Sequence, residues 1–361
     1  MKEKTKKQFG IKEIAKMAEV SIGTIDRVIH DRPGVSPKTK ARVKKIIEEV
    51  GYDPNPIARR LAGFNNVYTI AVIIPMKNEF NPYWNQHLKG IEKALAFVEP
   101  FGVEVEPIFY DQSNENTFTE ASNEFFNNNY DAVVLTPIFQ ELAQTFSEAC
   151  HEKNIPLVCI DTDLQDGKKM SFIGQDSYQS GFLAGKLCSL KTILTDYTLI
   201  CHVKRKELTE NFKKRENGFK DYLTSTAGFS EDKILRMEIG PESQADMKKE
   251  IQAMLEKNPK IKSIYIPNTR SFLVVTCLTA QQKKDIFITG YDLIDENIAL
   301  LKDGAIDVLI SQKPVEQCYR AIVFLYEKLI AKKTAVPRLD MPLDIIVKEN
   351  IDYYLQENQQ I

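Results

Sequence analysis

From residue 67 onward, short apolar runs alternate with helical stretches, and this alternation constrains the fold more than any other feature of the chain. Strands are predicted at 68–75, 103–110, 131–136, 156–161, 197–203, 234–239, 263–267, 285–290 and 306–311. Helices are predicted between them at 83–98, 115–127, 139–152, 177–190, 211–223, 247–256 and 315–331. Alternating units of this length build parallel sheets covered by helices on both faces. There are more strands than one such sheet needs, so the expected class is α/β with two doubly wound parallel-sheet subdomains. Ligands of such sheets sit beyond the carboxyl ends of the strands.

Residues 11–63 read differently. Ile11, Ile14, Ala15 and Ala18 form the apolar face of an amphipathic helix. Ser21 can cap a second helix that turns Ile25, Val28 and Ile29 inward. Ser36-Pro37 starts a third, with Val43, Ile46, Ile47 and Val50 buried. Two short helices joined by a tight turn, with a third packed across them, make an all-α helix-turn-helix head. The second helix of such a head enters the DNA major groove. A basic segment follows, Asn55-Pro56-Ile57-Ala58-Arg59-Arg60-Leu61-Ala62-Gly63.

Charge divides along the same line. Residues 1–66 hold 15 Lys and Arg against 8 Asp and Glu, a balance of +7; the remaining 33 and 42 give −9. A basic head favours a phosphate backbone through counterion release, whereas an acidic body does not coat DNA. On the second helix, Ile22 can touch a thymine methyl, Gly23 offers no side chain, and Arg27 is the best bidentate reader of guanine. Asp26 either accepts from cytosine or orients Arg27. Ser21, Ile22, Gly23, Thr24, Arg27 and His30 are the candidate DNA contacts of this unit, with Asn55, Ala58, Arg59 and Leu61 after it.

The strand ends supply a second set of candidates: Asn81-Pro82-Tyr83-Trp84, Asp161, Gln175-Asp176, Asn268, Asp292 and Gln312, with Arg215 opening an Arg-x-x-Gly-Phe turn. Planar amides, carboxylates and a guanidinium beside an aromatic platform suit a sugar, whose vicinal hydroxyls need fixed donors and acceptors and whose ring needs a face. An arginine among acids can also clamp a ligand carboxylate. Taken singly, Asn268 and Asp292 could simply cap helices.

The stretch from Ile11 to Gly63 resembles the LacI-type bacterial transcription regulators, without a gap. The resemblance rests on Val20-Ser21, Thr24, Arg27-Val28, Val35-Ser36, Lys38-Thr39, Gly51-Tyr52, Pro54-Asn55, Ala58 and Leu61-Ala62-Gly63. It implies homodimers on a pseudo-palindromic double-stranded DNA operator and a hinge that becomes helical on DNA. It also implies that Leu61 wedges between base pairs from the minor groove, which would bend the duplex; the alternative is an ordinary linker residue. Glu19 departs from the family, which usually has Gly in the turn. A left-handed backbone there would cost roughly 1 kcal/mol without Gly.

Residues 67 to about 350 resemble the type I periplasmic sugar-binding fold. The landmarks are Asn81-Pro82 with two aromatics, Asp161, Arg215-x-x-Gly218-Phe219, Asn268, Gly290-Tyr291-Asp292 and Gln312. In ribose-type relatives these positions contact the sugar. The resemblance therefore implies that Tyr83, Trp84 and Tyr291 stack on the ring, and that Asn81, Asp161, Arg215, Asn268, Asp292 and Gln312 hold hydroxyls. Thr162 departs, because pentose binders place Arg after the Asp; this makes room for a different or larger sugar.

Other chemistries find no support. There is no G-x-x-x-x-G-K-[ST], G-x-G-x-x-G, H-E-x-x-H or G-x-S-x-G motif. Six cysteines and four histidines lack metal-ligand spacing, so no metal or cofactor is read and the cysteines are taken as reduced, buried thiols. No apolar run approaches the ~18 residues of a membrane span, and the basic start of the chain lacks the apolar core of a secretory signal. The expectation is a cytoplasmic, sugar-responsive DNA-binding regulator, a repressor rather than an enzyme. A sugar receptor without a DNA role is the alternative, and a glycosidase using Asp161 and Asp292 is a more distant one. The expected domains are a DNA-binding domain at 1–53, a hinge at 54–66 and an effector and dimerisation domain at 67–361. Its lobes run over about 67–174 with 313–340, and about 175–312 with 341–361. The last ten residues are too short and polar for the heptad helix of tetrameric relatives, so a dimer is expected.

Overall fold

The computed structural model describes residues 11–29, 33–50, 67–77, 82–204, 209–330 and 336–360. The chain divides into two units, Met1–Asn66 and Val67–Ile361. His30, Asn55, Ala58, Arg59, Leu61 and Asn81 lie outside the described residues.

In the first unit, helices α1 (Ile11–Met17), α2 (Ile22–Ile29) and α3 (Pro37–Val50) close around Ile14, Ala15, Ala18, Ile25, Val28 and Val43. Both serine caps form. The Thr24 N–H donates to Ser21 Oγ at 3.1 Å, and the Thr39 N–H to Ser36 Oγ at 3.2 Å. Each satisfies one of the backbone donors that a helix start leaves unpaired. Glu19 does take the left-handed conformation, with φ at 51°, so the turn keeps its shape despite the missing glycine.

The second unit holds two six-stranded sheets. Along the chain run β1 (Tyr68–Pro75), α4 (Trp84–Val98), β2 (Val103–Tyr110), α5 (Glu115–Asn127), β3 (Ala132–Leu135), α6 (Gln140–Glu152), β4 (Leu157–Ile160) and β5 (Ser171–Gly174). Then come α7 (Ser177–Ser189), β6 (Tyr197–Val203), α8 (Glu210–Asp221), β7 (Ile234–Ile239), α9 (Gln244–Lys257) and β8 (Ile261–Tyr265). These are followed by α10 (Ser271–Val275), α11 (Gln282–Asp285), β9 (Phe287–Tyr291), α12 (Asp295–Asp303), β10 (Val308–Ser311) and α13 (Pro314–Leu329). The last elements are β11 (Arg338–Asp340), β12 (Asp344–Ile346) and α14 (Ile351–Gln360).

The N-lobe sheet has the order β11-β5-β4-β3-β1-β2 and the C-lobe sheet β12-β10-β9-β8-β6-β7. All pairings are parallel except β10 with β12. The interior strand β1 is apolar on both faces, with Ile70 to Ile74 fully buried, as helix-covered parallel strands require. At the edge, β2 buries Val103 and Val105 against one face of the sheet and Ile108 and Tyr110 against the other. All six cysteines are buried and unbonded.

The chain passes between lobes three times: after β5, between β10 and α13, and between β11 and β12. Gln175, in the first passage, ties all three together. Its Nε2 donates to the carbonyl of Ser311 at 2.5 Å and to that of Pro342 at 2.8 Å. Lys313 and Asp344 add an ion pair at 2.6 Å between the second and third passages.

Candidate functional site

A cleft between the two sheets gathers the carboxyl ends of strands from both lobes. Its N-lobe wall is Tyr83, Trp84, Asp111, Gln112, Ser113, Ile138, Asp161 and Thr162. Its C-lobe wall is Lys204, Thr209, Asn211, Phe212, Arg215, Asn268, Thr269 and Arg270, with Gln312 at the hinge. Tyr83, Trp84, Asp161, Arg215, Asn268 and Gln312, singled out from the sequence, thus meet in one place.

Arg215 is the best supported of these. It is 2% exposed. One guanidinium N–H goes to the Pro267 carbonyl at 3.0 Å, another goes to Gln312 Oε1, and Nε finds no partner among the described residues. The guanidinium lies 4.1 Å from the centre of the Tyr291 ring. The Tyr291 hydroxyl in turn bonds to Ser180 at 2.8 Å and Tyr265 at 3.0 Å, and Tyr265 stacks on Phe219 at 4.2 Å. Arg215 therefore rests on a layered aromatic support that fixes its plane.

The helix that carries Arg215 is held by close backbone approach. A Cβ on Gly181 of α7 would lie 1.9 Å from the Arg215 carbonyl oxygen, and one on Gly218 of α8 2.0 Å from that of Tyr178. Only glycine fits at either position, and together they set how deeply α8 sits.

Asp161 ends β4 with φ at 62°, a region that non-glycine residues enter mainly at constrained sites. Its carboxylate accepts from the Tyr83 hydroxyl at 2.7 Å and from Thr162 Oγ1 at 3.0 Å. Burial pushes its carboxyl up from the ordinary value, against the opposing effects of the Tyr83 bond and the Arg215 charge. Beneath it, Tyr83, Trp84 and His87 pack ring to ring at 4.7–5.0 Å. Burial depresses His87 to about 3, so it is a neutral member of this cluster. The Trp84 indole N–H reaches Gln112 at 3.3 Å.

Two expected ligand contacts are placed elsewhere. Tyr291 does not line the cleft: it is fully buried, with its ring face under Arg215. Asp292 is also fully buried. It accepts from Thr269 Oγ1 and Gln312 Nε2, both at 2.6 Å, and from the Gln312 N–H at 3.1 Å. It orients two wall residues instead of standing in the wall. Burial raises its carboxyl to about 6, with Thr269, Arg215 and Gln312 pulling the other way. Gln317 completes the frame by accepting from the Asp161 N–H at 2.8 Å and donating to the Gln312 carbonyl at 2.7 Å.

Several wall residues escaped the sequence reading. Lys204 and Gln112 follow β6 and β2, so the strand-end rule itself points to them. Asn211 and Phe212 lie one helical turn before Arg215, on the same face of α8. Arg270 stands two residues after Asn268.

On the head, Ser21, Ile22, Gly23 and Arg27 are exposed and Thr24 is half-buried. Ile22, an apolar residue at the start of α2, is 45% exposed. The Ser21 and Thr24 hydroxyls are engaged with each other at 2.9 Å.

Residues 70–333 match the family model for the periplasmic binding protein domain, and residues 10–55 match that of the bacterial regulatory proteins, lacI family. Catabolite control protein A of Staphylococcus epidermidis is 31% identical over 160 residues, which is 43% of this chain and 45% of that protein. The chain thus spans less than half the length of the curated relatives it matches. A candidate LacI transcriptional regulator from Bacteroides fragilis has a similar solved structure, with a TM-score of 0.73 at 27% identity over 80% of this chain and 100% of that one. The glucose-galactose binding protein GanP from Geobacillus stearothermophilus shares the fold, with a TM-score of 0.68 at 21% identity over 79% and 99% of the two chains. This chain therefore joins a head that matches the lacI family of bacterial regulatory proteins to a body that belongs to the periplasmic binding protein domain family.

Proposed function

We propose that the protein is a cytoplasmic transcription repressor that binds a pseudo-palindromic operator as a homodimer and changes its operator affinity when a sugar or sugar derivative enters the cleft. The observation that carries this reading is the joining of a lacI-family head to a body whose cleft gathers Arg215, Asp161, Asn268, Gln312 and Trp84. The head, 1–53, reads DNA through Arg27 and its neighbours on α2, and the segment 54–66 serves as the hinge. In the cleft, Trp84 and Tyr83 offer ring faces, and Asp161, Arg215, Asn268 and Gln312 hold hydroxyls. Asp292 aligns Gln312 and Thr269. The ligand is bound and not converted.

A ligand shifts DNA affinity only through its different affinity for the open and closed arrangements of the lobes. The test is a gel shift with genomic fragments, followed by titration with a panel of sugars. A fragment bound in a sequence-specific way, with an affinity that a sugar raises or lowers, is the expected result. Binding without sequence preference, or a bound fragment indifferent to every sugar, counts against the reading. Sedimentation at micromolar concentration checks the dimer, and a monomer there would refute it.

A further inference from the structure

We propose that the cleft takes an acidic sugar derivative, its carboxylate or phosphate held on the C-lobe wall by Arg270 and Arg215. This inference rests on the sugar-effector reading and adds the charge class of the ligand. The cleft is polarised. Among the described residues, every ionisable side chain on its C-lobe wall is basic, Lys204, Arg215 and Arg270, and the carboxylates, Asp111 and Asp161, stand on its N-lobe wall. Thr162 leaves the position beside Asp161 without a cation.

Both acids are already engaged by protein donors. Asp111 accepts from the Ser113 N–H at 2.8 Å and its hydroxyl at 2.7 Å, and Asp161 accepts from Tyr83 and Thr162. Arg215 has a donor to offer. Arg215 is buried with its Nε–H unpaired among the described residues, a cost that an incoming acceptor removes. Arg270 is 8% exposed, and the end of β6 pins it. Its Nη1 donates to the Val203 carbonyl at 2.9 Å, Asn268 Nδ2 donates to the same oxygen at 3.0 Å, and Asn268 Oδ1 accepts the Arg270 N–H at 3.0 Å. A guanidinium fixed in this way presents a rigid fork, the geometry that carboxylate and phosphate oxygens match. Lys204 contributes less, because Glu238 holds its ammonium at 2.5 Å. The ligand's acid then faces the C-lobe and its hydroxyls face Asp161.

The experiment is isothermal calorimetry on the full chain with matched sets: hexoses, their uronates and aldonates, and their 6-phosphates. At least one acid is expected to bind about tenfold or more tightly than its neutral parent, with an affinity that falls as salt rises. The uronate and phosphate arms separate the two anions. Arg270→Gln should erase the preference, and Arg270→Lys should restore part of it in a protein of unchanged melting temperature. If neutral sugars bind as tightly as their acids, or the preference survives in Arg270→Gln, this inference fails and the sugar reading stands. If no sugar in any form binds, both fail.

Discussion

Asn211 reaches across the cleft to Asp161: its Nδ2 lies 3.1 Å from the Asp161 carbonyl and 3.0 Å from Thr162 Oγ1. A second bridge joins Gln86 Nε2 to the Leu293 carbonyl at 2.8 Å. Both bonds join the lobes across the cleft, so they favour the arrangement seen here over one in which the lobes part. Asn211→Ala should open the body on average and lower ligand affinity by the loss in closed population. Small-angle scattering of the ligand-free variant should give a larger radius of gyration than the wild type. An unchanged radius would show that this amide does not latch the lobes.

Gly181→Ala tests the support of Arg215 from behind. The added methyl meets the Arg215 carbonyl, and overpacking of this kind costs about 1–3 kcal/mol. Forcing α7 and α8 apart also moves Arg215, so thermal stability and ligand affinity should fall together. A variant with lower stability but full affinity would mean that α8 carries Arg215 independently of its packing on α7.

The buried Asp292 gives a pH signature. Its folded value of about 6 lies above the ordinary 3.8 of an aspartate. The folded state therefore holds its proton more tightly than the unfolded chain does. That contribution is fully present below about pH 4 and is lost as pH rises through 6, on the order of 1–3 kcal/mol in all. Denaturant titrations of wild type and Asp292→Asn across pH 4 to 7 should diverge in this window, the wild type losing ground as pH rises. Parallel curves would mean that Asp292 stays ionised throughout.

Arg27 is exposed on α2, as is Ile22 at its start. Arg27→Ala should weaken operator binding by about 1–3 kcal/mol and relax discrimination at one base position. The check is a gel shift against single-base variants of the operator. Equal losses at every position would reassign Arg27 to a phosphate.

The head was legible because its signals are local. Helical spacing marks Ile14, Ala18, Ile25 and Val28, and Ser21 and Ser36 each sit beside the N–H they cap. The long apolar strands were legible for the same reason. The strands β5, β11 and β12 read SFIG, RLD and DII, short segments that mix polar with apolar residues and so lack the continuous apolar run that marks β3, β4 and β10. In the cleft, residue type pointed to Arg215 and Asp161, which line it. It could not tell that Tyr291 and Asp292 both lie behind the wall, fully buried. Successive strand residues face opposite ways, and which face lies under α7 is a property of the packed sheet. Asn211 and Arg270 escaped because they matter only once one lobe stands opposite the other, and that distance is not written in either segment.

The three passages tied by Gln175 leave the body with essentially one way to move. Three covalent strands held at one amide behave as a pin, and sliding or shearing of the lobes would have to break bonds to both Ser311 and Pro342. On the function proposed above, whatever enters the cleft would be translated into a single angle. Ligands of quite different shape become points on one dial, and their potency as signals follows from how far they turn it, whichever wall residues they touch.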